Sequence, residues 1–446
     1  MIETGRDKIS FGWLLILSIP VATFAFVEKC SGTALTFTIK KFVSDPALIV
    51  LLGSLNSIFA VLIAPWAALK SDTISTFLGR RKNFIAAGFL LLVISLVMVP
   101  YASNMVLLVV IIILYQFAVD FGYTGPWRPL YFDIVPKKQR GRGMVVNRYA
   151  SIAARFVFMY FLIGSFDMSI GQNKILKGMT ADRFAGITGE KVIYISAAAL
   201  VLLSLVLILF FVKEKKDIRP AREHFRLVDY LREMYATRDN FYMCLLVICY
   251  VLMSTRLTNL RPLLITEQFG YSKKTMGNIN VITMLFNTTL FLPLIAIFID
   301  RLNYFRVFVT GMIFSTLHPA VYWIYVKFFA EGGIPSIPVI TVFNIADSIF
   351  DRTAMLVLWP FLFDMVNPAK KGFMNSGFLI ITGIVGFVNT NLMGLWVKAS
   401  SALFYAGKVD YMNCYIYIFV MGILGCAGTY LFSLHLNSMQ CNIVRK

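Results

Sequence analysis

Ionisable side chains lie inside apolar runs at several points of the chain. Residues 116–144 carry Asp120 and Arg128 at the end of one such run, ahead of the basic cluster Lys137, Lys138, Arg140 and Arg142. Glu28 and Lys29, Arg148 and Arg155, Arg256 and Arg261, and Asp347, Asp351 and Arg352 occupy similar settings. A charge in hydrocarbon is costly and persists mostly where it meets a cavity, a partner or a permeating solute. A carboxylate of tunable pKa can take up and release a proton, which makes Asp120, Glu28 and Asp347 candidate proton carriers. A guanidinium fork can grip two vicinal hydroxyls or a carboxylate, so Arg128 and Arg256, with Asp351, are candidate solute ligands. Trp127 and Tyr123 offer faces for stacking against a ring. Plainer alternatives stand beside these: Arg128 snorkels to the membrane surface, Trp127 belongs to an interfacial belt, and Asp351 with Arg256 is a structural ion pair.

The elements that must position these groups follow from composition. The 446 residues are 58 % hydrophobic and only 15 % charged, outside the range of soluble domains, and the apolar residues come in runs of about twenty. Twelve spans can be drawn, at 11–35, 47–69, 83–101, 105–135, 144–166, 191–212, 241–266, 275–299, 306–328, 335–366, 373–398 and 411–436. The fold class expected is therefore an all-α polytopic membrane protein. The net charge of +19 resides in short loops between spans, the pattern of the positive-inside rule and not of nucleic-acid binding. It places both termini in the cytoplasm, with the first run read as a retained span and not a signal peptide. The six cysteines lack metal-ligand spacing and read as packing residues. No nucleophile elbow, phosphate loop or metal cluster supports an enzyme, and no cofactor is expected.

The two halves of the chain repeat. Asp120, Pro129, Phe132, Asp133 and Val135 recur at one constant offset as Asp351, Pro360, Phe363, Asp364 and Val366, and Asp72 has a weaker echo in Asp300. Parallel repeats of six spans resemble the major facilitator architecture, in which two bundles rock about a central site. The expected organisation is an N-terminal six-helix bundle over 1–212, a cytoplasmic linker over 213–240 with an amphipathic helix near 225–235, and a C-terminal six-helix bundle over 241–446. That resemblance implies that the first, fourth, seventh and tenth spans line the cavity, and most of the intramembrane charges fall on them.

The loop after the second span sharpens the resemblance. Pro65, Ser71, Asp72, Gly79, Arg80, Arg81, Phe84 and Ile85 fall in register with the loop motif of the glycoside-pentoside-hexuronide and sucrose-proton symporters. Ala68, Thr73 and Asn83 depart from it. A tight turn at Gly79 would bring Arg80 and Arg81 against Asp72 and nearby helix ends, a latch on the cytoplasmic face. Asp72, Gly79, Arg80, Arg81, Asp133, Asp300 and Asp364 are the expected gating residues; plain positive-inside anchoring is the alternative.

In the fourth span, Gly125-Pro126-Trp127-Arg128-Pro129-Leu130 resembles the Gly-Pro-Cys-Arg-Ala-Leu pattern of the sucrose symporters, and Asp133 matches their following Asp. The resemblance implies that Arg128 carries the arginine's role in coupled sugar transport. It lies about 12 Å inside the cytoplasmic end of the span at helical rise. The symporters' carboxylate falls on Phe117 here, with Asp120 nearly one turn away. The sodium-site aspartates of melibiose-type members fall on Ala60 and Ala64, which leaves a hard cation without its oxygen ligands and favours a proton. The function expected is proton-coupled symport of a glycoside or related sugar in the cytoplasmic (inner) membrane by a monomer, its partners being that small molecule and the lipid bilayer. A surplus of basic groups hints at an acidic sugar such as a uronate. A non-sugar organic anion, or a non-transporting sensor or assembly factor of the same fold, remain alternatives.

Overall fold

The computed structural model describes every residue except 1, 4–8, 75, 77, 169–186, 215–231, 233–236, 256, 258, 292, 295–302, 367–370, 406 and 445–446. The expected amphipathic helix at 225–235 thus lies outside the described residues but for Arg232. Among the described residues the architecture is all-α apart from one parallel pairing of two residues each, Ile2–Glu3 with Val212–Lys213, and an isolated antiparallel bridge between Thr76 and Gly79. In chain order the long helices are α1 (Phe11–Lys40), α2 (Pro46–Thr73), α3 (Arg81–Met98), α4 (Met105–Ile134), α5 (Arg140–Val157) and α6 (Gly189–Phe211). There follow α7 (Arg238–Met253), α8 (Lys273–Phe286), α9 (Tyr304–Phe328), α10 (Ile337–Met365), α11 (Lys371–Phe404) and α12 (Asn413–Val444).

Among the described residues eight helices are long and apolar enough to cross a membrane: α1, α2, α3, α4, α6, α9, α11 and α12. The predicted spans missing from that set have physical reasons. α5 and α10 carry the arginines and aspartates singled out above, and α7 and α8 run for only 16 and 14 residues. Helices are the only open-ended way to satisfy backbone N–H and C=O groups in lipid. Their starts are set by side-chain caps: Asn104, Thr237 and Asn303 accept backbone N–H bonds at 2.8, 3.2 and 3.1 Å at the heads of α4, α7 and α9.

The chain divides into two compact units. Unit 1 comprises Met1–Ser44, Leu52–Phe225 and Tyr271–Asn278. Its long boundary lies inside the expected 213–240 linker, but a short segment from the second half of the sequence belongs with the first. In unit 1, α1 packs on α5 and α6, and α3 on α4 and α6. Fully buried Phe89, Leu92, Ile112 and Val201 fill those seams. At one end Glu190 is buried, takes a 2.6 Å hydrogen bond from Thr38 and pairs with Lys41, which ties α6 to the end of α1.

Unit 2 comprises Asp45–Leu51, Arg226–Gly270 and Ile279–Lys446. Its core is a continuous cluster from α7, α9, α10, α11 and α12 that includes Cys244, Val247, Phe308, Val357, Leu362, Phe378 and Phe432. Four of the cysteines, Cys30, Cys244, Cys249 and Cys414, are buried.

In the loop before α12, Asp410 accepts 2.6 Å and 2.7 Å hydrogen bonds from Lys327 and Gln268. Burial alone would raise the Asp410 carboxyl, but those bonds outweigh it and hold it below its ordinary value. A carboxyl depressed by folding stabilises the native state above its unfolded pKa, and that stabilisation is lost as pH falls through the folded value. Asp410→Asn is therefore expected to lower the detergent-solubilised melting temperature at pH 7. The loss corresponds to about 1.5–3 kcal/mol for a charge-assisted hydrogen bond. The gap to wild type should narrow as pH falls below about 3.9, the ordinary aspartate value, and close only below the depressed folded value. A gap that stays constant from about pH 5 down to about pH 2 would rule out the ion pair as its source.

Candidate functional site

The site in unit 1 is built by three helices, α1, α4 and α5. Two of them are interrupted by a wide turn with i to i+5 hydrogen bonding close to the charged residue, Cys30–Ala34 after Glu28 and Asp120–Trp127 in α4, and α5 runs at its end into a third, Phe158–Leu162 after Arg155. Such turns insert an extra residue into an α-helix and are frequent at functional positions. In α4 the wide turn holds Gly122 and Gly125. A Cβ on Gly88 of α3 would meet the Gly122 Cα at 2.5 Å, and one on Gly125 would meet the Ala64 carbonyl oxygen at 2.8 Å. Glycine at these positions lets α4 press against α2 and α3.

On α4, Tyr123 stacks on Phe24 of α1 with ring centroids 3.6 Å apart and an interplanar angle of 11°. The Arg128 guanidinium lies 5.7 Å from the Tyr123 ring centroid. Arg128 is exposed, whereas Asp120 is buried. Thr124 hydrogen-bonds the Asp120 carboxylate, and Arg128 is near enough to act on it electrostatically. From α5, Arg155 donates to Glu28 of α1 at 2.7 Å. Its Nε is buried with no acceptor among the described residues, an open donor within the cluster. Glu28 and Arg155 also act on Tyr123, and Arg148 is in electrostatic range of both. Three guanidinium groups thus gather with two carboxylates and a phenol, an arrangement able to bind hydroxyls or an anion and to exchange a proton.

Trp127 does not join this cluster. It is 1 % exposed and packs among Leu17, Pro20, Leu207 and Phe211, with Tyr131 at 6.3 Å, so neither of its faces is open for stacking. The expectation of Trp127 as a stacking residue is corrected on that ground. Asp347 and Asp351 lie on α10 in unit 2, Asp351 buried and Asp347 half-exposed. Arg256 lies outside the described residues.

At the head of α3 the described residues include a partner that the sequence did not point to, Glu214. Gly79 has a φ of +124°, a conformation that glycine adopts freely. Arg81 pairs with Asp133 at 2.6 Å, linking α3 to the end of α4. The backbone N–H groups of Arg80, Arg81 and Lys82 donate to the Glu214 carboxylate at 2.5 and 3.2 Å. A carboxylate there complements the helix dipole and satisfies orphan donors. Its only trace in the sequence is one acid in the basic run Lys213-Glu214-Lys215-Lys216. The Asp72 side chain and Asp300 lie outside the described residues, and Asp364 is exposed at the end of α10. Glu214→Ala removes a cap worth about 1 kcal/mol plus a dipole contribution of similar size. Hydrogen exchange at Arg80, Arg81 and Lys82 should accelerate about thirtyfold; unchanged protection would show that the cap is supplied elsewhere.

A family model described as "Major Facilitator Superfamily" matches residues 17–388. Comparison with curated proteins yields no match. Among solved structures, a mutant of the nucleoside transporter NupG is similar with a TM-score of 0.69 and 15 % identity, over 94 % of this chain and 99 % of that one. A D-xylose-proton symporter is similar at a TM-score of 0.67 and 15 % identity, over 95 % and 97 % of the two chains. An inward-facing, unoccupied bacterial homolog of the human lysosomal transporter Spinster gives 0.70 and 15 %, over 95 % and 96 %.

Proposed function

Because the chain belongs to the Major Facilitator Superfamily, we propose that it is a secondary active transporter that carries a glycoside or related sugar together with protons by alternating access. The observation that carries this reading is the cluster of Glu28, Asp120, Tyr123, Arg128 and Arg155 on three adjoining helices of unit 1. A sensor or assembly factor has no use for an exposed guanidinium and an open Arg155 donor beside a buried carboxylate. The proton-coupled character of the similar D-xylose symporter supports the same choice.

In this reading the Arg128 fork and the Arg155 Nε bind sugar hydroxyls or a carboxylate, while Asp120 holds the coupled proton. A proton on Asp120 leaves Arg128 free for the solute; a bare carboxylate competes for it. Binding of solute and of proton thereby favour one another. The turn at Gly79 with Arg81, Asp133 and Glu214 latches the cytoplasmic end. The protein acts as a monomer in the cytoplasmic membrane with both termini inside, and it needs no cofactor beyond the proton. The excess of arginine in the cluster favours a uronate over a neutral sugar, with a non-sugar organic anion as the second reading.

The test is uptake into proteoliposomes of a panel of neutral glycosides, uronates and simple carboxylates, with and without an imposed pH gradient. Accumulation of a glycoside or uronate that rises with the gradient is the expected result. Uptake of none of the panel, or of carboxylates only, would overturn the sugar reading.

A further inference from the structure

Unit 2 contains a histidine that the site above does not use. His318 lies within α9, is 8 % exposed, and both of its ring nitrogens are buried without a hydrogen-bond partner among the described residues. On α10, Phe343, Asp347 and Phe350 recur at helical spacing and turn one face towards it. The two phenylalanine rings lie 5.4 and 6.1 Å from the imidazole, and the Asp347 carboxylate lies between them in sequence with Oδ1 3.9 Å from Nδ1. The Tyr322 ring, one turn along α9, closes the box against Phe343 and against Tyr415 of α12 at 4.6 and 4.9 Å. The groups that act on the imidazole are Asp347, the Phe343 backbone and Arg261, which stands in the short turn Arg261–Leu263 beyond α7. Arg261 and Asp347 also reach Tyr415.

The two members of the pair differ in access. The Asp347 side chain is 44 % exposed, while that of His318 is 8 % exposed. A buried polar group is ordinarily satisfied, so a poorly partnered imidazole next to an open carboxylate needs an occupant. A separation of 3.9 Å is closed by one side-chain rotation or one bridging water.

We propose that His318 and Asp347 form a second proton-binding site, in unit 2, at which Asp347 takes a proton from water and passes it to His318 Nδ1. The transfer leaves an imidazolium beside an ionised carboxylate, and the reverse transfer returns the proton to water. Histidine suits the task because its charge changes near neutral pH. The proposal rests on the proton-coupled reading above, but its test does not use transport.

The protein has three histidines, so its imidazoles are separable. The protein labelled with 15N-histidine is placed in lipid nanodiscs and its imidazole signals are followed from pH 4 to 9, with His318 assigned by its loss in His318→Gln. The expected result is a His318 titration whose midpoint falls by about one pH unit, a tenfold loss of proton affinity, in Asp347→Asn. In Asp347→Glu the midpoint should return towards that of wild type. A His318 that stays in one charge state across the range, or a midpoint that is the same in Asp347→Asn, overturns the proposal. If Asp347→Asn does not fold, Asp347→Ser and Arg261→Gln serve instead: the first should lower the midpoint and the second raise it, and no movement in either overturns the proposal. A failed titration with gradient-driven uptake intact removes this site alone; a normal titration with no gradient dependence removes the coupling and leaves the site.

Discussion

Arg128→Lys is expected to lower the initial rate of glycoside uptake about a hundredfold while the amount of protein in the membrane stays the same. Lysine keeps the charge and loses the planar fork that makes two parallel bonds to one solute. Each lost charge-assisted bond is worth about 1.5–3 kcal/mol, so two reach about 3 kcal/mol or more, the free-energy equivalent of about two powers of ten. The position also matters to Tyr123, whose ring stacks on Phe24 and lies 5.7 Å from the guanidinium. Arg128→Gln should fail equally, since it removes both the charge and the fork. A lysine variant with wild-type rate and half-saturation would remove Arg128 from the binding site and leave its charge as a positioning feature.

Asp120→Asn is expected to separate exchange from accumulation. Loaded proteoliposomes of the variant should still swap internal for external solute, because an amide resembles the protonated carboxyl in shape and hydrogen bonding. Net accumulation driven by an inward pH gradient should vanish. In a one-proton symporter a gradient of one unit supports about tenfold accumulation, and the variant should show a ratio of about one. Accumulation that still follows the gradient would move the coupling to Glu28 or to the pair in unit 2. Loss of exchange as well as accumulation would mean that Asp120 is needed to bind the solute itself.

Much of this site was legible because charge is conspicuous in an apolar run. Glu28, Asp120, Arg128, Arg148 and Arg155 stand out in the sequence, and the structure gathers them in one unit. The register of Gly79, Arg80 and Arg81 marked a turn, and the positive φ at Gly79 is what that turn requires. Asp133, singled out with them, is the residue that Arg81 pairs with. Less was legible where the answer depends on a partner far along the chain. Glu214 lies more than a hundred residues from the N–H groups it caps, and nothing local distinguishes it from an ordinary loop acid. Trp127 was misread for another reason: a ring offers a face only where packing leaves one open, and Leu17, Pro20, Leu207 and Phe211 surround this one. His318 gives no pattern at all, and only the arrangement of α10 against it makes it a candidate.

The three wide turns have a mechanical consequence. A helix that contains one carries a surplus residue, and that surplus can move along the axis by exchanging i to i+5 for i to i+4 bonds one step at a time, much as a ruck travels along a carpet. Each step turns the side chain it passes by about 100° and leaves the helix ends where they were. Because the surplus lies beside Glu28, Asp120 and Arg155, these residues can be re-aimed without any helix unfolding in lipid, where a broken backbone bond has no water to replace it. In the proposed transport cycle, re-aiming the cluster would then require only a local slip within these helices.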